Sequence, residues 1–180
     1  MPMNSRNPPY VSIIIRSMNR SSLLDAMNSI AGQDFGSIET VVVAAAGPEH
    51  PVLPADFAGR PVVFVPSESP LRRSVAANRG LLAARGKFLG FLDDDDVLLP
   101  HHVSSLVNQL QANPKSIAAY ARVRAENAAG EVLREFGQPF DPLDLQLQNF
   151  LPIHAVLFRR QILEDGVRFD EALDLCEDWD

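Results

Sequence analysis

The chain has 180 residues, 46% hydrophobic and 22% charged, which suits one globular domain with a substantial core and excludes a disordered or fibrous protein. A balance of 16 basic against 23 acidic residues leaves a net charge of −7, which argues against a broad nucleic-acid or anionic-membrane surface but allows a local basic pocket. No apolar run approaches the ~20 residues of a membrane span, and the lone Cys176 excludes an internal disulfide and a thiolate zinc site.

Residues 1–10, MPMNSRNPPY, lack an apolar signal core and read as a flexible lead, with the cytoplasm as the expected compartment. Val11–Ile15 is a continuous β-branched run, the pattern of a strand covered on both faces. Asn19–Gly32 follows as a helix, with Leu23, Leu24, Met27 and Ile30 near helical spacing. Ile38–Ala44 and Pro61–Val65 are the second and third strands, Ser74–Gly86 a helix expected to end at a glycine cap, and Lys87–Leu92 the fourth strand. His101–Pro114 reads as a helix stopped by Asn113-Pro114. Ile117–Gly137 reads as two strands around a turn at Ala128–Gly130, His154–Arg159 as a later strand, and Arg160–Gly166 as a short helix. Strands and helices alternating at this spacing predict an α/β fold: a mostly parallel sheet flanked by helices, with a small antiparallel addition.

The fourth strand runs directly into Asp93, Asp94, Asp95 and Asp96. In such a sheet, ligands bind outside the carboxyl ends of the strands, where these carboxylates fall. Hard oxygen donors suit Mg²⁺ or Mn²⁺, and Mg²⁺ commonly takes one or two carboxylates and completes its shell with phosphate oxygens and water. The glycine-free turn RSMNRSS after the first strand does not fit a dinucleotide fold, and GLLAARGK (Gly80–Lys87) fails as a phosphate loop because its spacing is wrong and it leads into a strand. The string FLDDDDV resembles the Asp-x-Asp motif of haloacid-dehalogenase-type phosphatases, which would make Asp93 a nucleophile and Asp95 an acid/base. That motif closes the first strand of its fold, however, and here three strands precede it.

Four segments in order resemble the family-2 glycosyltransferases of the GT-A fold: VSIIIRSMNR, SIAGQDFGSIETVVV, ANRGLLAARGKFLGFLDDDDVLLP and FDEALDLCEDWD. The resemblance covers Val11 to Asp180 and implies one domain over 11–180, cut short before a helix that the family has at this point. It implies metal-dependent, inverting transfer of a sugar from a nucleotide-sugar donor, a UDP-sugar foremost, to a saccharide, lipid-linked or protein acceptor. Transfer would take place in the cytoplasm or at the inner membrane face, in polysaccharide biosynthesis. Asp93 would face the donor ribose and the metal, Asp95 would bind the metal, and Asp94 and Asp96 would shape the turn or contact the sugar. Asp178 would be the general base and Glu177 its orienter. Asn78 would contact the donor or only bond backbone, and Arg72 or Arg73 would meet the diphosphate.

Three departures stand out: Arg16 where proline is commoner, Ala44–Ala46 where acidic residues hold the nucleoside, and Ala77 where the arginine of the family's Ala-Arg-Asn-x-Gly is lost. His101 and His102 fit a solvated helix start, His154 faces the acceptor or the metal or is simply buried, Trp179 stacks on a sugar or packs in the core, and Cys176 is packed. A non-catalytic nucleotide-sugar-binding module is the alternative from a different class.

Overall fold

The run VSIIIRS forms strand β1 (Val11–Ser17), buried at every position. Alternating side chains supply cover for both of its faces. Ile13 and Ile15 join one apolar cluster with Leu23, Met27 and Ile30 of α1 (Leu23–Ala31) and Leu106 and Leu110 of α3 (His102–Ala112). Ile14 joins a second cluster with Ala76, Ala77 and Leu81 of α2 (Arg73–Ala83). The computed structural model describes residues 8–127, 129–173 and 176–179.

β1 pairs in parallel with β2 (Ile38–Ala44) on one side and with β5 (Phe88–Asp93) on the other, and β2 pairs in parallel with β4 (Arg60–Val65). The two-residue β3 (Asp56–Phe57) adds antiparallel at that edge; beyond β5, β9 (Val156–Arg159) pairs antiparallel with β5, and β6 (Ala118–Tyr120) pairs antiparallel with β9. The resulting order is β3-β4-β2-β1-β5-β9-β6, beside a separate hairpin of β7 (Val123–Glu126) and β8 (Val132–Phe136). This is the mostly parallel, helix-flanked sheet with a small antiparallel addition that the sequence predicts. The chain moves outward from β1 through β2 to β4 and then crosses to β5 on the other side of β1. Strand order reverses there, so a crevice opens at the carboxyl ends of β1 and β5. Register places Arg16 of β1 beside Asp93 of β5.

The differences from the sequence reading are local. The strand expected through Ile117 to Asn127 breaks at Ala121 and Arg122, so β6 stays in the main sheet while β7 joins the hairpin. Of the turn between β7 and β8, Ala128 lies outside the described residues, and Gly130 takes φ +79°. The expected strand at His154 starts at Val156, because Ile153–Ala155 form a 3-10 turn. Helix α4 (Pro142–Leu147) was not foreseen; its signal was Asp141-Pro142, with the Asp141 carboxylate accepting from the Leu143 and Asp144 amides. The short helix after β9 is α5 (Gln161–Glu164). The expected lead over 1–10 ends early: residues 1–7 lie outside the described residues, but Pro9 is buried and Tyr10 packs on Phe35 and Phe88.

Helix α2 does not end at a glycine cap. Ala84 leaves it in an extended conformation, and Gly86 serves a close approach instead, since a Cβ there would lie 2.5 Å from the Ser12 nitrogen and 2.8 Å from the Phe88 carbonyl oxygen. Gly80 lets α2 approach the sheet, with a Cβ placed 2.3 Å from the Ile14 Cγ2. Gly80→Ala should cost about 1–3 kcal/mol in chemical denaturation, because a side-chain methyl can shift. Gly86→Ala should cost more, because the obstructing atoms are backbone; equal costs would contradict this reading.

Candidate functional site at the ends of β1 and β5

β5 ends at Asp93, and the Asp96 amide closes a turn on the Asp93 carbonyl at 3.1 Å. The four adjacent carboxylates take separate partners. Asp93 Oδ1 accepts from Arg16 Nη2 at 2.8 Å and from Nε at 3.1 Å. Asp94 is fully buried: Oδ2 accepts from the Met18 amide at 2.7 Å, the Ser17 hydroxyl at 3.2 Å and the Arg20 amide at 3.4 Å, and Oδ1 accepts from Arg20 Nη1 at 2.6 Å. That same nitrogen reaches Asp95 at 3.1 Å. Asp96 Oδ2 lies 3.1 Å from His154 Nδ1. The hydrogen bond to His154, set against partial burial, lowers the pKa of Asp96.

Asp94 therefore clamps the β1–α1 loop, in which Asn19 adopts φ 59°, and it turns away from the crevice. Asp93, Asp95 and Asp96 remain together, each offering an oxygen within 4.8 Å of the others. Three hard carboxylate oxygens at this separation fit Mg²⁺ or Mn²⁺ by donor chemistry. Asp93 and Asp95 are the pair expected from the sequence; Asp96 joins them, and Asp94 does not.

The segment at 176–179 closes over the same place. Glu177 is buried, and its Oε1 accepts from Arg16 Nη1 at 2.7 Å, while Oε2 has no hydrogen-bond partner among the described residues. Burial disfavours the charge on Arg16, but Asp93 and Glu177 outweigh it and hold the guanidinium protonated. Asp178 keeps access to solvent, and its pKa is raised by desolvation and by the adjacent Glu177 carboxylate.

Beside the carboxylates lies a cavity of about 300 Å³ lined by Arg16, Arg20, Arg72 and Arg73, with Asp93, Ala45 and Ala76 also on its wall. Arg73 is the first residue of α2, so the amino end of that helix adds its dipole to the guanidinium charges. Arg16 and Arg20 are already paired with carboxylates, but a guanidinium-rich wall at a helix amino end, beside carboxylates spaced to hold a cation, suits a diphosphate.

The remaining expectations sort cleanly. Arg73 lines the cavity. Asn78 does not: its amide donates to the Phe169 carbonyl at 3.0 Å and to Glu171 at 2.9 Å, and its oxygen accepts from the Phe169 amide at 3.0 Å. These bonds go to the Phe169 backbone and the Glu171 carboxylate. His101 is exposed and pairs with Asp34 at 2.7 Å. The Trp179 indole donates to the Leu145 carbonyl of α4 and its ring is part-exposed. Cys176, expected to be packed, is exposed, with φ 60°. Arg16 and Arg20 were not singled out as site residues. The available signal was a charged residue ending the otherwise apolar run VSIIIRS, since a buried arginine requires carboxylates.

A family model described as Glycosyl transferase family 2 matches residues 12–166. The chain belongs to that family. Among its relatives, it is 25% identical over 142 residues to an uncharacterized glycosyltransferase of Haemophilus influenzae, covering 78% of this chain and 48% of that one. It is 26% identical over 188 residues to the succinoglycan biosynthesis protein ExoO of Rhizobium meliloti, covering 95% and 54%. The fold matches S. aureus TarS 1-349 in complex with UDP-GlcNAc at a TM-score of 0.72 and 17% identity, over 95% of this chain and 51% of that one. It matches the mannosyltransferase PcManGT of Pyrobaculum calidifontis, in complex with GDP-Man and Mn²⁺, at 0.65 and 18%, over 93% and 49%. The family-2 chain thus spans about half the length of these proteins. No described helix is long and apolar enough to cross a membrane.

Two stability predictions follow from this geometry. Asp94→Asn places an amide among donors and should cost about 3 kcal/mol in denaturation, whereas Asp95→Asn, at a part-exposed position, should cost under about 1 kcal/mol. His102, whose pKa falls to about 4 through burial and the neighbouring His154, is neutral in the fold but protonates in the unfolded chain below about 6.5. The unfolded state then binds the extra proton between these values, so stability should fall as pH drops from 6.5 to 4, by at most about 3 kcal/mol from this group. A His102→Gln variant should show a shallower loss over that window in pH-dependent denaturation.

Proposed function

We propose that the domain transfers a sugar from a nucleotide-sugar donor to an acceptor hydroxyl, with inversion at the anomeric carbon. The observation that carries this reading is the adjacency of three features: an arginine-lined cavity, a three-carboxylate cluster, and Asp178 on a segment bonded to the same arginine. In it, Arg20, Arg72 and Arg73 bind the donor diphosphate, and Asp93, Asp95 and Asp96 hold Mg²⁺ or Mn²⁺. A divalent cation there would neutralise charge developing on the departing diphosphate. Asp94 holds the β1–α1 loop against the donor without touching it. Asp178 accepts the proton of the acceptor hydroxyl, and a raised pKa makes it a better base once ionised.

The donor is read as a uridine diphosphate sugar, supported by the likeness to TarS, whose complex holds UDP-GlcNAc. The acceptor is a saccharide, a lipid-linked glycan or a protein, and the setting is polysaccharide biosynthesis in the cytoplasm or at the inner membrane face, in keeping with the likeness to ExoO.

A nucleoside diphosphate should raise the melting temperature only with Mn²⁺ or Mg²⁺ present, by mass action on the folded state. Asp95→Asn should abolish the metal-dependent part of that shift; an unchanged shift in EDTA would count against the metal site. Asp178→Asn should lower the transfer rate on the order of 10²-fold or more with donor affinity nearly unchanged. Binding of donor with no turnover by the full chain would favour a non-catalytic module. Because the base works only when ionised, transfer should decline as pH falls through its raised pKa. Glu177→Gln removes the neighbouring charge and should move that acidic limb to lower pH in a rate profile.

A further inference from the structure

We propose that Arg16 positions the catalytic base, acting through Glu177 to hold Asp178 at the cation-binding cluster; this role rests on the transferase reading above. Arg16 lies near the carboxyl end of β1, and its side chain is only 5% exposed. It binds two carboxylates that are 77 and 161 residues away in sequence, Asp93 through Nη2 and Nε and Glu177 through Nη1. Its three bonds leave the guanidinium no freedom to rotate, and its plane also lies near the Phe91 ring, with Cζ 5.9 Å from the centroid. The arginine therefore sets the distance between the end of β5 and the segment that carries Asp178.

A purely structural tie fits these observations poorly. Replacing a buried ion pair by apolar residues commonly leaves stability unchanged or improves it, so burial of Arg16 and Glu177 is not explained by stability. The Glu177 Oε2 is buried and lacks a partner among the described residues, an arrangement that costs free energy where it serves no ligand. Both Arg16 bonds to Asp93 fall on Oδ1, so the arginine aligns this carboxylate without using its second oxygen. One guanidinium thus orders a carboxylate of the cation-binding cluster and, through its neighbour, the base on the acceptor side. Displacement of a base by about an ångström is enough to cost on the order of 10²-fold in rate.

The test compares Arg16→Met, Arg16→Lys, Glu177→Ala, Glu177→Gln and the Arg16→Met/Glu177→Ala double variant in the full chain. It reads kcat and donor KM for UDP-sugar turnover together with amide hydrogen exchange of residues 176–179. Arg16→Met and Glu177→Ala should each lower kcat on the order of 10²-fold, and the double variant should be no worse than about threefold below the weaker single. Exchange at 176–179 should rise in all three. Donor KM should rise with Arg16→Met, which also frees Asp93, and stay within about twofold with Glu177→Ala. Glu177→Gln, whose side-chain oxygen can still accept from Arg16, should keep kcat within about tenfold of the parent, and Arg16→Lys should recover part of the loss. Should Arg16→Met fail to fold, the contrast between Glu177→Ala and Glu177→Gln carries the test. Multiplying losses in the double variant, or an unchanged kcat in Glu177→Ala, would overturn the proposal. A parent chain that binds UDP-sugar without turning it over, while exchange at 176–179 still rises in the variants, would overturn the transferase reading and reduce Arg16 to a tether.

Discussion

Like charges packed side by side at the end of a buried strand raise one another's free energy unless cations or donors meet them, and here the opposing charges come from the neighbouring strand and its loop. β1 and β5 run parallel in register, with Arg16 beside Asp93, so the carboxyl ends of both strands reach the same level of the sheet. Arg16 takes Asp93, Arg20 takes Asp94 and reaches Asp95, and His154 takes Asp96. At the reduced effective dielectric of a partly buried site the two arginines offset the mutual repulsion, which bulk water alone would only screen. The site, the β1–α1 loop and the closing segment at 176–179 all depend on that compensation.

The loop shows how far the dependence reaches. Asp94 gathers the amides of Met18 and Arg20 and the Ser17 hydroxyl, and Ser17 Oγ also lies 2.8 Å from His50 Nε2. His50 is buried, lies 2.8 Å from the Pro51 carbonyl oxygen through Nδ1 and packs on Phe64 of β4. A network of hydrogen bonds therefore runs from the end of β5, through the end of β1, to the region beyond β2. The network braces the wall of the arginine-lined cavity, which suits a preorganised site.

The layout of the fold was legible because its central strands β1, β2 and β5 are buried on both faces and read as largely apolar runs. Binary pattern and turn residues sufficed for the parallel sheet and the main helices. The break at Ala121–Arg122 was not legible: it divides one apolar-looking stretch between two sheets, a decision made by tertiary partners such as the Ala155 carbonyl, which accepts from the Ala121 amide. Helix α4 was legible in principle, from Asp141-Pro142, but is too short for periodicity to mark. At the site, residue types pointed to Asp93, Asp95 and Arg73. They could not distinguish Asp94 from Asp96, since that depends on which way each side chain leaves the turn. Asn78 likewise kept two readings until its partners at Phe169 and Glu171, more than 90 residues away, were known.

The four aspartates thus carry two different physical tasks in one run of identical residues. Asp94, turned inward and saturated by donors, contributes order and has no oxygen left for a ligand. Asp93, Asp95 and Asp96 each offer an oxygen within 4.8 Å of the others, and none is fully buried, a spacing that suits a cation by donor chemistry. Moving the run by one residue would exchange these tasks, placing a saturated carboxylate where an open one is needed. The register of β5 against β1 and the turn closed by the Asp96 amide therefore decide function more directly than the count of acidic residues does. Arg16 belongs to the same logic: its place at the end of β1 makes it neighbour to whichever carboxylate ends β5, and only a long, forked, permanently charged side chain can reach from there to Glu177 as well.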